Sequence, residues 1–169
     1  KMKKIVFVVA PKVFRDEEYI EPKNMLEKAG IKVVTASTVV GDIYGKIKIK
    51  ARSEMLVTDI SVNDYDAIFF VGGGGSSIYF NDKFVHELAR DFYKSGKVVS
   101  AICSGSVILA NSGILKGKRA TVFPGDAQAL IECGANYTAK YVEIDGNIIT
   151  GNGPLAAKVF AEQLIKALK

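Results

Sequence analysis

Short apolar runs alternate along the chain with longer stretches of mixed polarity. The apolar runs are rich in Val, Ile and Phe, which is typical of strands buried on both faces of a sheet; they are Lys4–Ala10, Ile31–Ser37, Tyr65–Val71 and Lys97–Ile102. The stretches of mixed polarity predict helices at Asp16 to Gly30, Asn81 to Ser95, Ser104–Ser112, Ala127–Cys133 and Pro154–Leu168. Strands that alternate with helices in this way predict a mostly parallel sheet with helices packed on its faces.

Some segments depart from this simple alternation. A glycine-punctuated pattern from Val40 to Lys50 predicts an exposed hairpin outside the main sheet. A strand is expected near Ala120–Phe123, and a tight turn is expected to join Tyr141–Ile144 to Asn147–Thr150 as a second hairpin. Pro22 predicts either a kink in the first helix or a restart of it. No segment has the composition of a linker or a repeat, so we expect the whole chain to form one domain.

Composition narrows the class of protein further. The 169 residues are 49% hydrophobic and 24% charged, with a formal net charge of +5. Lys and Arg are scattered and accompany no nucleic-acid-binding signature, so we expect no nucleic-acid partner. No apolar run approaches the roughly 20 residues that a membrane span needs. The apolar segment Lys4–Ala10 fits a buried strand better than a signal peptide, and we therefore expect a cytoplasmic protein without a membrane partner.

The cysteine content argues against disulfides and metals. Cys103 and Cys133 are too few for a disulfide framework, and their spacing does not match a zinc site. The single histidine, His86, cannot complete one. We therefore expect no metal ion and no other cofactor. Cys133 lies within a helical segment and is interpreted as a packing residue.

Cys103 lies directly between a predicted buried strand and a predicted helix. Active sites of parallel α/β sheets lie at the carboxyl ends of the strands, where this turn falls. The positive end of the following helix favours a thiolate over a thiol, which predicts a lowered pKa at Cys103. Gly105 permits a tight turn, and the backbone N–H of Ser104 is placed to stabilise an oxyanion. The alternative is a buried structural cysteine.

Two further segments are expected at the same edge of the sheet. The glycine run Gly72–Gly75 ends the neighbouring strand and allows the backbone to approach a reacting centre closely. The acidic segment Asp16-Glu17-Glu18 follows the first strand. It either supplies a carboxyl group to Cys103 or merely favours the start of the helix by its negative charge.

The segment Ala101–Thr121 resembles the nucleophile signature of the ThiJ/PfpI superfamily, which includes PfpI-type intracellular proteases, glyoxalase III enzymes and a parkinsonism-associated deglycase. Phe14–Pro22, the glycine-rich turn and the closing hairpin extend the resemblance over nearly the whole chain. The resemblance implies a flavodoxin-like three-layer α/β sandwich with a nucleophile-elbow cysteine. It also implies a homo-oligomer, a dimer or larger, and a small aldehyde or a peptide as substrate. The glycine run lacks the spacings of nucleotide-binding loops, so no flavin or nucleotide is expected.

The resemblance also implies roles for individual residues. Cys103 matches the family nucleophile, and Glu18 matches the glutamate that hydrogen-bonds it, with Glu17 as the competing assignment if the register slips by one. Gly73 or Gly74, together with Ser104, matches the backbone that binds the oxyanion.

The chain departs from the family pattern at both positions where a histidine is expected. Ser104 stands where one branch has a histidine after the nucleophile, and Phe123 stands where another branch has one before a proline. Peptide hydrolysis needs an acid to protonate the amine leaving group, so this departure weakens a peptidase assignment. Three hypotheses follow: an enzyme acting on small reactive carbonyls, a redox sensor or stress-protective protein that is oxidised at Cys103, and a PfpI-type peptidase or amidase.

Overall fold

The computed structural model describes residues 1–169, which form twelve strands and five α-helices. The strands are β1 (Lys4–Val8), β2 (Lys12–Phe14), β3 (Lys32–Ser37), β4 (Gly41–Gly45), β5 (Lys50–Ser53), β6 (Met55–Leu56), β7 (Ala67–Phe70), β8 (Val98–Ile102), β9 (Arg119–Ala120), β10 (Asn136–Tyr137), β11 (Val142–Asp145) and β12 (Ile148–Gly151). The α-helices are α1 (Asp16–Lys28), α2 (Lys83–Lys94), α3 (Ser106–Ser112), α4 (Ala127–Glu132) and α5 (Ala157–Leu168). None of the helices is both long and apolar enough to span a membrane.

Seven strands form the central sheet in the order β11-β12-β8-β7-β1-β3-β6. All neighbours are parallel except β11, which is antiparallel to β12. The five inner strands β3-β1-β7-β8-β12 have the strand order of a flavodoxin-like sheet. The predicted fold class, a mostly parallel sheet in a flavodoxin-like sandwich, is therefore confirmed.

Each strand of the sheet contributes side chains to two separate cores, because successive residues point to opposite faces. In β1, Phe7 packs in the core beneath α1 and α5, whereas Val6 and Val8 pack in the core beneath α2 and α3. All three residues are almost completely buried. Burial on both faces explains why the strands read as continuous apolar runs rather than as alternating ones.

The hairpin predicted at Val40–Lys50 is present, as β4 and β5, but it extends to Ser53 and is joined by the short strand β2. The second predicted hairpin is also present, and β12 pairs with β8, so this hairpin completes one edge of the central sheet. The helix α1 runs through Pro22 without a restart. Pro22 has no N–H for the carbonyl of Glu18, so α1 lacks one backbone hydrogen bond there.

The strand predicted at Ala120–Phe123 is wrong for most of its length. Only Arg119 and Ala120 pair, with β10. The next residue, Thr121, is buried but bonds to side-chain and loop groups: its N–H donates to Thr150 Oγ1 (3.0 Å) and its hydroxyl donates to the carbonyl of Lys140 (2.6 Å). These bonds replace the ladder that the apolar pattern predicted.

Candidate active site

Three segments meet at the carboxyl ends of the adjacent strands β1, β7 and β8. The first turn of α1 carries Glu18, the end of β7 leads into Gly72, and the end of β8 leads into Cys103. Parallel strands place these ends on one edge of the sheet, although the residues are far apart in sequence. The structure therefore brings together the three segments that the sequence places at this edge.

Cys103 occupies a strained turn. Its φ is +58°, in the left-handed region that residues other than glycine rarely adopt. It opens a 3₁₀ turn, Cys103–Gly105, from which α3 continues at Ser106. A Cβ at Gly105 would lie 2.6 Å from the carbonyl oxygen of Phe70, so only glycine fits there. Cys103 is buried, with 7% of its surface exposed.

Gly72 lies between Glu18 and Cys103. A Cβ at this position would lie 2.6 Å from Cβ of Cys103 and would overlap Glu18 Oε1. The carboxyl group of Glu18 and the cysteine side chain therefore line the same small space, which only a residue without a side chain leaves free.

The three consecutive acids of α1 have different environments. Asp16 is buried and accepts hydrogen bonds from the N–H groups of Ile47 and Ile49, at 2.9 Å each, so it holds the β4–β5 turn. Glu17 is partly exposed and is bound by the guanidinium group of Arg15 at 2.9 and 3.0 Å. Glu18 is fully buried beside Cys103. Of the two glutamates that the sequence left open, Glu18 is the one that faces the sulfur.

Burial controls the ionisation of the Glu18–Cys103 pair. It raises the pKa of Glu18 to about 8, because no hydrogen bond of good geometry reaches either carboxyl oxygen and the charged form is poorly solvated. Proximity to Cys103 and to the N–H of Gly72 opposes this rise only in part. Burial, followed by the charge of Glu18, raises the pKa of the Cys103 thiol to about 12. The pair therefore gives up its first proton near pH 8 and holds a single negative charge over a wide range above it.

The lowered thiol pKa expected from the sequence is wrong in direction. The α-helix α3 has only seven residues and begins three positions beyond Cys103, so its positive end acts on the sulfur weakly. Desolvation and the neighbouring carboxyl group outweigh it. The backbone N–H groups of Ser104 and Gly73 do favour the thiolate, in the direction the sequence predicts.

The two glycines proposed for the oxyanion site are placed differently. Gly73 has a φ of +102°, and its backbone N–H acts on the sulfur of Cys103. At Gly74 the nearest atom to a Cβ position is Cγ1 of Val13, at 3.7 Å, and the residue begins the following 3₁₀ turn. Of the two glycines, Gly73 is therefore the one whose backbone N–H, like that of Ser104, favours the thiolate.

Asp126 is a site residue that the sequence did not reveal. The hydroxyl group of Ser104 donates to Asp126 Oδ2 at 2.7 Å, and both residues are partly exposed at the rim of the site. They are 22 positions apart, and no known spacing links them. The only available signal was a carboxylate two residues after Pro124, close to the position where relatives carry a histidine.

The remaining candidates do not join the site chemistry. Nε2 of His86 lies 2.8 Å from the carbonyl oxygen of Phe80, which also accepts from Asn111, so His86 is a structural residue of α2. Phe123 is exposed, and its apolar ring cannot transfer a proton. The Cys133 thiol donates weakly to Asn111 at 3.6 Å. No group of three or more His, Cys, Asp and Glu side chains is arranged to hold a metal ion.

Known proteins are similar to this chain in fold and in sequence. The family model of the DJ-1/PfpI family matches residues 3–167. A protein of Methanocaldococcus jannaschii is 43% identical, over 98% of this chain and 82% of its own length. The deglycase PfpI of Pyrococcus furiosus is 31% identical, over 98% of this chain and 99% of its own. The crystal structure of a ThiJ/PfpI domain protein from Brachyspira murdochii superposes with a TM-score of 0.97 at 34% identity, covering 99% of this chain and 97% of that one.

These matches define the chain as an α/β protein of the ThiJ/PfpI type. It belongs to the DJ-1/PfpI family. The resemblance inferred from Ala101–Thr121 is therefore confirmed.

Replacing Glu18 with glutamine is expected to stabilise the protein increasingly as the pH rises. The unfolded chain loses the Glu18 proton near pH 4.5, whereas the folded chain keeps it until about pH 8, so wild-type stability falls across this window. Each pH unit costs about 1.4 kcal/mol, which sets an upper limit of about 4–5 kcal/mol above pH 8. Melting temperatures of wild type and Glu18→Gln at pH 5 and pH 8.5 measure the difference.

Glu17→Gln is the matched control, because Arg15 lowers the pKa of Glu17 and its carboxyl group is ionised throughout this window. The gap between wild type and Glu17→Gln should therefore be the same at both pH values. A gap between wild type and Glu18→Gln that is also independent of pH would contradict the raised pKa.

Proposed function

We propose that this protein is a cysteine-dependent enzyme that acts on small reactive carbonyl compounds such as methylglyoxal, without a cofactor. The observation that carries the proposal is the buried carboxyl group of Glu18, which shares the space at Gly72 with Cys103. A carboxyl group whose pKa is raised to about 8 both donates and accepts protons near neutral pH.

The first step of the proposed reaction is addition. In the singly charged pair the Glu18 carboxylate takes the proton of the Cys103 thiol as the sulfur attacks the aldehyde carbon; a C–S bond forms, and the carbonyl π electrons move onto the oxygen. The N–H groups of Ser104 and Gly73 stabilise the oxyanion. Glu18 then gives its proton to this oxygen, which leaves a neutral hemithioacetal and a glutamate anion.

The later steps use the same carboxylate. Glu18 removes the hydrogen of the former aldehyde carbon as a proton, giving an enediolate, and returns a proton to the adjacent carbon. The product is a thioester of a 2-hydroxy acid. Water hydrolyses this thioester to lactate and restores the thiol, so that methylglyoxal and one water yield one lactate. The oxidation of one carbon is balanced by the reduction of its neighbour, and no external redox partner is required.

The relatives support a carbonyl substrate, since the protein of Pyrococcus furiosus named above is a deglycase. Peptide hydrolysis is less well supported, because the residue after the cysteine is Ser104 and His86 is bound to the carbonyl of Phe80. Addition to an aldehyde needs no protonation of an amine leaving group, so it suits this set of residues better.

The test is lactate formation from methylglyoxal by the purified protein, compared with Cys103→Ala. Lactate formed by wild type and absent with the variant supports the proposal. Equal rates with the two proteins, or no lactate from wild type, would overturn it.

A second candidate function is sensing or buffering of oxidants through Cys103. The protonated Glu18 beside the sulfur is suited to donate a hydrogen bond to a sulfinate oxygen, which would stabilise that oxidation state. Peptide mapping after mild peroxide treatment is expected to show sulfinate at Cys103 before Cys133 is modified. Oxidation mainly at the more exposed Cys133 would count against this function.

A further inference from the structure

The hydrogen bond from Ser104 to Asp126 determines which hydrogen bonds these two side chains can still make beside Cys103. Ser104 directly follows Cys103, and its hydroxyl proton is committed to Asp126 Oδ2 at 2.7 Å. A hydroxyl group has one proton and two lone pairs, so Ser104 Oγ can only accept a further hydrogen bond. Both residues are partly exposed, whereas the adjoining Cys103 is buried, so the pair offers its oxygen atoms to solvent beside the nucleophile.

The side chain of Asp126 bonds to Ser104 and not to the backbone of the helix that follows it. It is the N-cap residue of α4, where an aspartate usually accepts from the helix backbone, yet its side chain makes no capping bond. Its carboxylate is directed to Ser104 instead. The arrangement places an acceptor, backed by a negative charge, next to the nucleophile.

Arg15 is the cation whose charge reaches Cys103, and it is already paired. The charge of Arg15 reaches Cys103, but Glu17 binds its guanidinium group through two hydrogen bonds. Arg15 is therefore paired with Glu17 and does not offset the acceptors that Ser104 and Asp126 present.

We propose that Ser104 and Asp126 determine substrate specificity by accepting a hydrogen bond from an N–H or O–H group next to the reacting carbon. This inference rests on the proposed function and specifies its substrate class. Neutral or cationic carbonyl compounds that carry such a donor are preferred over methylglyoxal, which carries none. Carboxylate-bearing aldehydes such as glyoxylate are disfavoured. Their carboxylate is repelled by that of Asp126, and it offers no hydrogen-bond donor to Ser104 or Asp126.

Alkylation of Cys103 tests this assignment without requiring turnover. Iodoacetamide presents an N–H donor one carbon from the reacting atom, whereas iodoacetate presents a carboxylate in the same position. The ratio of the two alkylation rates at Cys103, followed by peptide mass spectrometry, is expected to fall about 3- to 10-fold in Ser104→Ala and in Asp126→Ala, as the loss of one hydrogen bond predicts. Asp126→Asn, which keeps the shape of the side chain, is included in case the alanine variant does not fold.

Glu132→Gln is the matched control, because it removes the same charge from an exposed position at the far end of α4. Its rate ratio should equal that of wild type. Ratios within twofold of wild type in both Ser104→Ala and the Asp126 variant would overturn the assignment. So would a change confined to the Asp126 variant, since charge alone would then explain it.

The outcomes separate this assignment from the proposed function. A Cys103 that is alkylated by both reagents with an unchanged ratio contradicts the role of the pair alone. A Cys103 that is alkylated by neither reagent contradicts both proposals. Altered ratios in a protein that forms no lactate support the acceptor rim and contradict methylglyoxal turnover.

Discussion

Replacing Cys103 with alanine is expected to reduce methylglyoxal turnover at least about 10³-fold, because removal of a nucleophile eliminates the covalent pathway and leaves only binding and the oxyanion donors. The steady-state rate of lactate formation measures this loss. The structure should be preserved, since alanine is accepted within the tight packing at Gly72 and removes a buried sulfur without adding atoms. An unchanged circular dichroism spectrum is therefore expected.

Cys133→Ala is the matched control for this experiment. It removes the other cysteine, which makes one weak bond to Asn111 near the end of α3, whereas Cys103 precedes the start of that helix. Turnover in this variant is expected to remain within twofold of wild type. Comparable losses in the two variants would show that the assay reports nonspecific thiol chemistry, which would remove the basis for a dedicated nucleophile.

Replacing Gly72 with alanine is expected to reduce turnover about 10²-fold and to destabilise the fold. The added methyl group would overlap Glu18 Oε1 and approach both Cβ of Cys103 and the carbonyl oxygen of Ile102 to 2.6 Å. Two of these neighbours are backbone or lie at the start of a side chain, so they cannot move aside easily. Overpacking of this kind costs roughly 1–3 kcal/mol, and a displacement of about 1 Å in a reacting group costs about 10²-fold in rate.

Gly74→Ala provides the comparison on the same loop. A methyl group at that position meets nothing nearer than Val13 Cγ1 at 3.7 Å, and the backbone is not in the left-handed region. Urea unfolding should give a free energy close to that of wild type for Gly74→Ala and a clearly lower one for Gly72→Ala. Equal stability and equal turnover in the two variants would contradict the close packing described at Gly72.

The strands of the central sheet were predicted well, because each one is marked by an apolar run within its own segment of the sequence. Each inner strand is buried on both faces, so segments such as Lys4–Ala10 read as apolar runs without any knowledge of their neighbours. The position of Cys103 was equally readable, since a strand end followed by Gly105 defines the turn. The same logic failed at Ala120–Phe123, where buried Thr121 is satisfied by groups distant in sequence rather than by a strand partner.

The features of the site that the sequence did not predict depend on contacts between segments that are distant in the chain. The Ser104–Asp126 bond joins two residues through the packing of α4, and no spacing rule anticipates it. The ionisation of Cys103 was predicted in the wrong direction, because the helix end is visible in the sequence and the depth of burial is not. The sequence left Glu17 and Glu18 as the two candidates for the carboxyl group beside the sulfur. The orientation of α1 about its own axis, which the sequence does not show, decides between them.

Asp16 determines the orientation of α1 about its axis. Successive residues of a helix are turned by about 100°, so the angular phase of α1 determines which of three adjacent acids meets Cys103. Asp16 sets this phase by binding the N–H groups of Ile47 and Ile49 in the β4–β5 turn. A hairpin that lies outside the central sheet thereby holds the orientation of the helix, and replacing Asp16 would remove the contact that keeps Glu18, rather than Glu17, turned towards the sulfur.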